Sequence, residues 1–179
     1  MKRLLPFVAI LGLAGPVLAD GFKVEVPAFA DGVLKPAQFA AAMGCTGGNV
    51  SPDIRWSGAP EGTASFVVTL YDKDAPTGSG FWHWVVVDIP HDATSLAEGA
   101  GNGGATLPSG ARMTNTDMSV PGFLGACPPP GETHDYVITV KALKVARLDL
   151  PENASPALVG FVSNMNKLAE ASVVARGGR

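Results

Sequence analysis

Three apolar runs constrain this chain more than any other feature. They are Phe66-Val67-Val68-Thr69-Leu70-Tyr71, Trp82-His83-Trp84-Val85-Val86-Val87-Asp88-Ile89, and Tyr136 to Val145. Each is rich in β-branched and aromatic residues, which lose rotamer freedom in a helix and pack well on a pleated surface. Runs of this length read as strands buried on both faces or lying in a sandwich core. The βα alternation of a parallel sheet is missing, so the expected fold class is all-β, an antiparallel sandwich with helices at its periphery.

The rest of the chain fits around these strands. Phe22 to Val26 alternates apolar and polar residues and predicts an opening half-buried strand, and Ser172 to Ala175 predicts a short closing one. Lys35-Pro36 to Met43 carries good helix formers after a proline suited to the first turn, with Gly44 as the expected cap. Ser155-Pro156 opens a second expected helix through about Ala169, its apolar face being Leu158, Phe161, Val162, Met165 and Leu168. Residues 99–131 show no period and many Gly and Pro, so they read as one long ordered loop, the kind that is usually functional. There is no repeat, linker or second domain, and 179 residues suffice for one core that buries roughly two-thirds of the unfolded surface.

The first nineteen residues are set apart. Met1-Lys2-Arg3 is a short basic start, Leu4 to Leu18 is almost wholly apolar, and Val17-Leu18-Ala19 offers small residues before the polar Asp20. That is the pattern of a cleaved secretory signal over residues 1–19, leaving a domain of residues 20–179. As a membrane anchor the stretch is short and is broken by Pro6, Gly12, Gly15 and Pro16. The mature chain has no other transmembrane candidate and is expected to be soluble, periplasmic or secreted. Losing Lys2 and Arg3 from thirteen basic residues leaves 11 against 16 acidic ones, a net charge of −5. This argues against a nucleic-acid partner or an anionic membrane surface.

Export changes how Cys45 and Cys127 read. In an oxidising compartment an even pair suggests a disulfide, which on the chain-entropy model stabilises by about 4 kcal/mol for a loop of this size. The alternative is two buried small hydrophobes, and the sequence does not give the Cα separation that decides.

Most catalytic templates are missing. There is no G-x-S-x-G elbow, H-E-x-x-H, Walker loop or C-x-x-C. Gly99 to Gly104 lacks the G-K-[ST] that would make it a phosphate loop and reads as surface loop. Cys127 with His134 resembles a nucleophile–base pair only if the disulfide is absent. What remains are polar residues at the ends of apolar strands. Asp72-Lys73-Asp74-Ala75-Pro76 ends the first run, His83 lies between Trp82 and Trp84, and His134 and Tyr136 begin the third after Pro128-Pro129-Pro130. Strand alternation predicts that both Trp rings point away from His83, and that His134 and Tyr136 share a face. Histidine and tyrosine donors in a proline-walled cavity suit an oxyanion, with Asp72 fixing a proton on an imidazole. Binding is then expected to tighten as histidine protonates near its reference value of about 6.5.

These motifs resemble the phosphatidylethanolamine-binding protein family, in particular its bacterial Raf-kinase-inhibitor-like branch. The segments that carry the resemblance are Asp72-Lys73-Asp74-Ala75-Pro76, Phe81-Trp82-His83-Trp84 and Gly125 to Tyr136. Asn49-Val50-Ser51-Pro52 and Trp56-Ser57-Gly58-Ala59-Pro60 form the usual lead-in. The resemblance implies a two-sheet Greek-key sandwich with a small surface pocket for phosphate, acetate or phospholipid head-group-like anions. By motif position Asp72, His83, His134 and Tyr136 fall on pocket residues, with Pro76 and Pro130 as walls. Lys73 stands where the family usually has proline, and Asp135 where it has arginine. Asn115 falls near where the bacterial branch often carries arginine. Each of these departures is expected to lower local positive charge, which weakens anion affinity and favours a neutral or zwitterionic ligand.

The leading expectation is an exported, non-catalytic binding protein for a small anionic or zwitterionic ligand such as phosphate or phosphoethanolamine, with no cofactor. The alternatives are an interaction protein that inhibits a protease or a signalling partner through residues 99–131, and a weak hydrolase or metal enzyme using Asp72, His83 and His134.

Overall fold

The computed structural model describes residues 21–179, so the predicted leader and its cleavage point lie outside the described residues. The chain forms β1 (Lys23–Glu25), β2 (Ile54–Ser57), β3 (Ser65–Asp72), β4 (Phe81–Pro90), β5 (Ser95–Leu96) and β6 (Arg112–Met113). Then come β7 (Thr133–Leu143), helix α1 (Pro156–Asn166) and β8 (Lys167–Gly178). The strands make a small sheet, β1-β2-β5, and a larger one, β6-β4-β3-β7-β8. Neighbours within each sheet pair antiparallel. β7 reaches the far side of β3 only after the long connection from β4, as in a Greek key. The expected all-β two-sheet architecture is therefore present.

Both faces of the large sheet are covered, which is why its central strands are continuously apolar. Phe66, Val68, Leu70, Trp84, Tyr136 and Ile138 meet Ile54, Trp56 and Leu96 of the small sheet in the main core. On the other face Val67, Val85, Val87 and Leu143 pack with Leu148 and Val159. Alternate residues of β3 thus serve two cores, as a period of two requires.

Three expectations are corrected. The helix predicted over 35–43 is only a 3₁₀ turn at Pro36–Gln38, after which Phe39 is extended with ψ 151°. Its backbone is drawn into pairing with the loop after β6, Ala40 N–H donating to Ala126 O at 2.9 Å and Ala126 N–H to Gln38 O at 3.0 Å. Nine residues are too few for alanine propensity to resist such tertiary partners. Second, α1 stops at Asn166 and the closing strand runs for 12 residues, because Lys167 to Gly178 pairs with β7 along almost its whole length. Third, α1 docks through Val159 and Ser163, four residues apart, while Leu158, Phe161 and Met165 of the predicted apolar face are exposed. Ser155 caps it as expected, its side chain accepting from Leu158 N–H.

Candidate functional site

Asp72 closes β3 opposite Phe81 on one side and Tyr136 on the other. Its Oδ1 accepts the Asp74 N–H at 2.9 Å, a local turn that starts the crossing to β4. Gly80 ends that crossing at φ +70°. A Cβ there would lie 2.1 Å from the Tyr71 hydroxyl and 2.6 Å from the Asp72 carbonyl, so the close approach needs glycine.

His83 sits at an irregularity in the ladder. Tyr71 pairs with Trp82 but Leu70 pairs with Trp84, leaving His83 as the extra residue. The bulge sends the two tryptophans to opposite faces. Trp82 packs against Tyr71 with the rings tilted at 4.3 Å, while Trp84 meets Phe123 edge-on at 5.8 Å in the main core. The expectation that both rings share the face away from His83 is corrected, because an inserted residue resets the alternation. The His83 ring lies between Phe81 and Tyr136, at 4.8 and 5.5 Å.

The long loop over residues 99–131 is pinned to this strand end. Leu124 N–H donates to His83 O at 3.0 Å, and His83 Nδ1 donates to Leu124 O at 2.9 Å. Gly125 N–H donates to Asn49 Oδ1 at 2.8 Å, and Gly101 N–H to Ser51 Oγ at 2.9 Å. The Asn49–Pro52 lead-in therefore holds the loop against His83. Cys45 and Cys127 form a disulfide with their Cα atoms 5.8 Å apart, which selects the first of the two readings of that pair.

Together these segments enclose a cavity of about 210 Å³ lined by Asp72, Pro76, His83 and His134 with the apolar Phe81, Met43, Met118, Leu124 and Pro129. Of the six residues singled out from sequence, four line it. Pro129 rather than Pro130 forms the wall at the triple proline, and Pro130 is exposed. Tyr136 is fully buried beneath, against both imidazoles. A larger cleft of about 380 Å³ lies on the Cys45 side of the bridge, but no histidine or carboxylate side chain is among its described lining residues.

The two histidines differ in charge. Burial lowers the His83 pKa below its ordinary 6.5, and the Leu124 carbonyl and the Asp72 charge only partly oppose this. Neutral His83 carries its proton on Nδ1, because a carbonyl can only accept. For His134 burial also pulls downward, but carboxylates on both ring nitrogens outweigh it and raise the pKa. Nδ1 lies 2.7 Å from Asp72 Oδ2 and Nε2 lies 3.0 Å from Glu132 Oε2. A common histidine titration near 6.5 is thereby replaced by a split one. Tyr136 is raised well above its ordinary value by burial first and by the Asp72 charge second.

Glu132 was missed in the sequence. It stands two residues before His134, so its same-face placement was available from strand alternation. The two motif departures also find each other: Lys73 Nζ pairs with Asp135 Oδ2 at 2.8 Å, and Arg176 approaches the same carboxylate at 3.4 Å. Lys73 adds a positive charge rather than removing one, but that charge is held by Asp135.

Comparison with known proteins places these features in a wider set. The family model for phosphatidylethanolamine-binding protein matches residues 26–177. The UPF0098 protein YbhB of Escherichia coli (strain K12) is 52% identical over 133 residues, covering 74% of this chain and 84% of that protein. YbcL of the same organism, also a UPF0098 protein, is 44% identical over 176 residues, covering 97% and 96%. The crystal structure of E. coli YbcL, described as a new member of the mammalian PEBP family, superposes with a TM-score of 0.84 at 45% identity. That superposition covers 88% of this chain and 98% of that one.

Proposed function

The chain belongs to the phosphatidylethanolamine-binding protein family, and from that premise we propose that it is an exported, non-catalytic binding protein whose Asp72–His83–His134 pocket takes a phosphate-like anion or a phospholipid head group. The observation that carries this reading is the convergence of two imidazoles on one cavity with a buried carboxylate behind them. Nδ1 of His83 is held by the Leu124 carbonyl, so Nε2 is the nitrogen left to meet a ligand. Met43, Met118 and Leu124 give the rim an apolar character that suits the glycerol or acyl end of a head group.

The lack of a hydroxyl or thiol hydrogen-bonded to either ring, among the described residues, supports a binding role. The Thr77 hydroxyl at the cavity wall donates to the Gly80 carbonyl instead. Export is supported by the basic start, apolar stretch and small-residue site at the N-terminus. The 97% coverage by YbcL means that the similarity runs into those residues. Among the described residues no helix is long and apolar enough to cross a membrane.

Calorimetry with inorganic phosphate and phosphoethanolamine tests the pocket. His83→Ala and His134→Ala are each expected to weaken binding about tenfold, the scale of one charge-assisted hydrogen bond. His91→Ala, in a different cleft, leaves it unchanged. Because His83 is neutral at pH 7, an anion at its Nε2 takes up a proton, so affinity rises as pH falls from 8 to 5. Equal affinity in wild type and both pocket variants across that range removes this site from consideration.

A further inference from the structure

Glu132 occupies the one position on His134 that a ligand would use. Carboxylate oxygens accept and cannot donate, so His134, with Asp72 on Nδ1 and Glu132 on Nε2, carries protons on both nitrogens and is an imidazolium. The inner partner is buried, its side chain 4% exposed. The outer partner is not: the Glu132 side chain is 52% exposed. Its backbone is held by the turn, Glu132 N–H donating to Pro129 O at 3.1 Å and Gly131 N–H to Arg179 O at 2.7 Å. A fixed backbone under an exposed, rotatable side chain makes a tethered carboxylate that can leave His134 without unfolding anything.

The surrounding charge makes that carboxylate selective. Among the described residues no Lys or Arg side chain lines the cavity, and Lys73 is paired outside it. Asp72 and Glu132 already exceed the single imidazolium between them. Asp74 accepts the Asp135 N–H and Asp117 accepts the Trp82 N–H close by, adding further negative charge. A bare anion entering here must displace Glu132 and leave it unpaired beside a like charge. A ligand carrying an ammonium a short chain from its anionic group gives the displaced carboxylate a new partner.

We propose that Glu132 is the specificity-determining residue of the pocket: it stands on His134 in place of the ligand's anionic group, is displaced when that group binds, and then pairs with the ligand's cationic group. The site thereby selects zwitterionic phosphoamines over bare phosphate. This rests on the ligand reading given above and adds to it a residue and a selection rule.

The test is calorimetry of the exported protein and its Glu132→Gln and Glu132→Ala variants with inorganic phosphate and with phosphoethanolamine, alongside NMR titration of the His134 ring. Both variants alter an exposed side chain, and thermal melts establish that they fold. Wild type is expected to prefer phosphoethanolamine by about tenfold, the scale of one partly exposed charged contact. In both variants phosphate tightens, phosphoethanolamine weakens and the preference disappears, while the His134 midpoint falls. If both ligands bind and their affinity ratio is the same in wild type and Glu132→Gln, the proposal is overturned while the ligand reading stands. If neither ligand binds to wild type or to Glu132→Gln, both are overturned, whatever His134 does.

Discussion

Replacing Asp72 tests the electrostatic core of the site directly. Asp72→Asn keeps the shape of the side chain and an oxygen for the Asp74 amide, but removes the charge under His134. The contact it weakens is 2.7 Å long between side chains that are 4% and 5% exposed, so solvent screens it little. A hydrogen bond to a charged group nets about 1.5–3 kcal/mol, and orphaning one member of a buried pair costs about 3–5 kcal/mol. His134 keeps Glu132 on its other nitrogen and can also shed a proton, so the asparagine variant is expected to lose about 2 kcal/mol. Asp72→Ala also takes the acceptor from the Asp74 amide, 2.9 Å away, and is expected to lose about 4 kcal/mol.

The pH dependence has a definite sign. The folded pKa of His134 is raised above its unfolded value, so the stability this group contributes is fully present below about 6.5 and is lost as pH rises through the folded pKa. Removing the Asp72 charge lowers the folded pKa. The stability gap between wild type and Asp72→Asn is therefore widest below pH 6.5 and narrows toward pH 9. His83, whose depressed pKa costs stability as pH falls below 6.5, responds to the same change: the Asp72 charge opposes that depression, so removing it widens the gap further on the acid side, and the His134 titration is what isolates the His134 share. Urea unfolding at pH 6 and pH 9, with an NMR titration of the His134 ring, measures both quantities. An unshifted His134 midpoint in Asp72→Asn, or a stability gap that is constant with pH, refutes the reasoning.

The paired change Cys45→Ser and Cys127→Ser opens a bridge between residues 82 apart and is expected to cost about 4 kcal/mol in urea unfolding; equal stability of the two proteins would show that the bridge constrains nothing. Gly101→Val places a Cβ 2.5 Å from that of Phe123 and 2.9 Å from the Trp84 ring, so overpacking should destabilise by about 1–3 kcal/mol, and an unchanged melting temperature counts against the packing described. Intact mass of the exported protein should correspond to a chain that begins at Asp20, and a full-length mass in the soluble fraction rules out cleavage after Ala19.

The amino-acid sequence by itself determined the main strands, the all-β class and the largely irregular course of residues 99–131, but not the short strand β6 within them, which forms by pairing with β4. Those properties rest on local chemistry: β-branched runs such as Phe66–Tyr71 have few alternatives to a buried strand, and Gly- and Pro-rich stretches cannot continue one. Alternation also placed His134 and Tyr136 on one face, and the motifs together indicated Asp72, Pro76, His83 and His134, which one cavity brings together. Tertiary structure decided whatever depends on a distant partner. Alanines at 37 and 40–42 favour a helix, yet the Gln38–Ala40 backbone bonds the segment around Ala126. Lys167 to Ala171 is rich in helix formers, yet it pairs with β7. His83 becomes the extra residue of a bulge only because β3 and β4 pair out of step there. Lys73 and Asp135 are 62 positions apart and cancel one another only once β3 and β7 lie side by side. The charges of His83 and His134 were likewise settled in space. An imidazole titrates according to what surrounds it, and the fold buries one ring against Leu124 while it sets the other between Asp72 and Glu132.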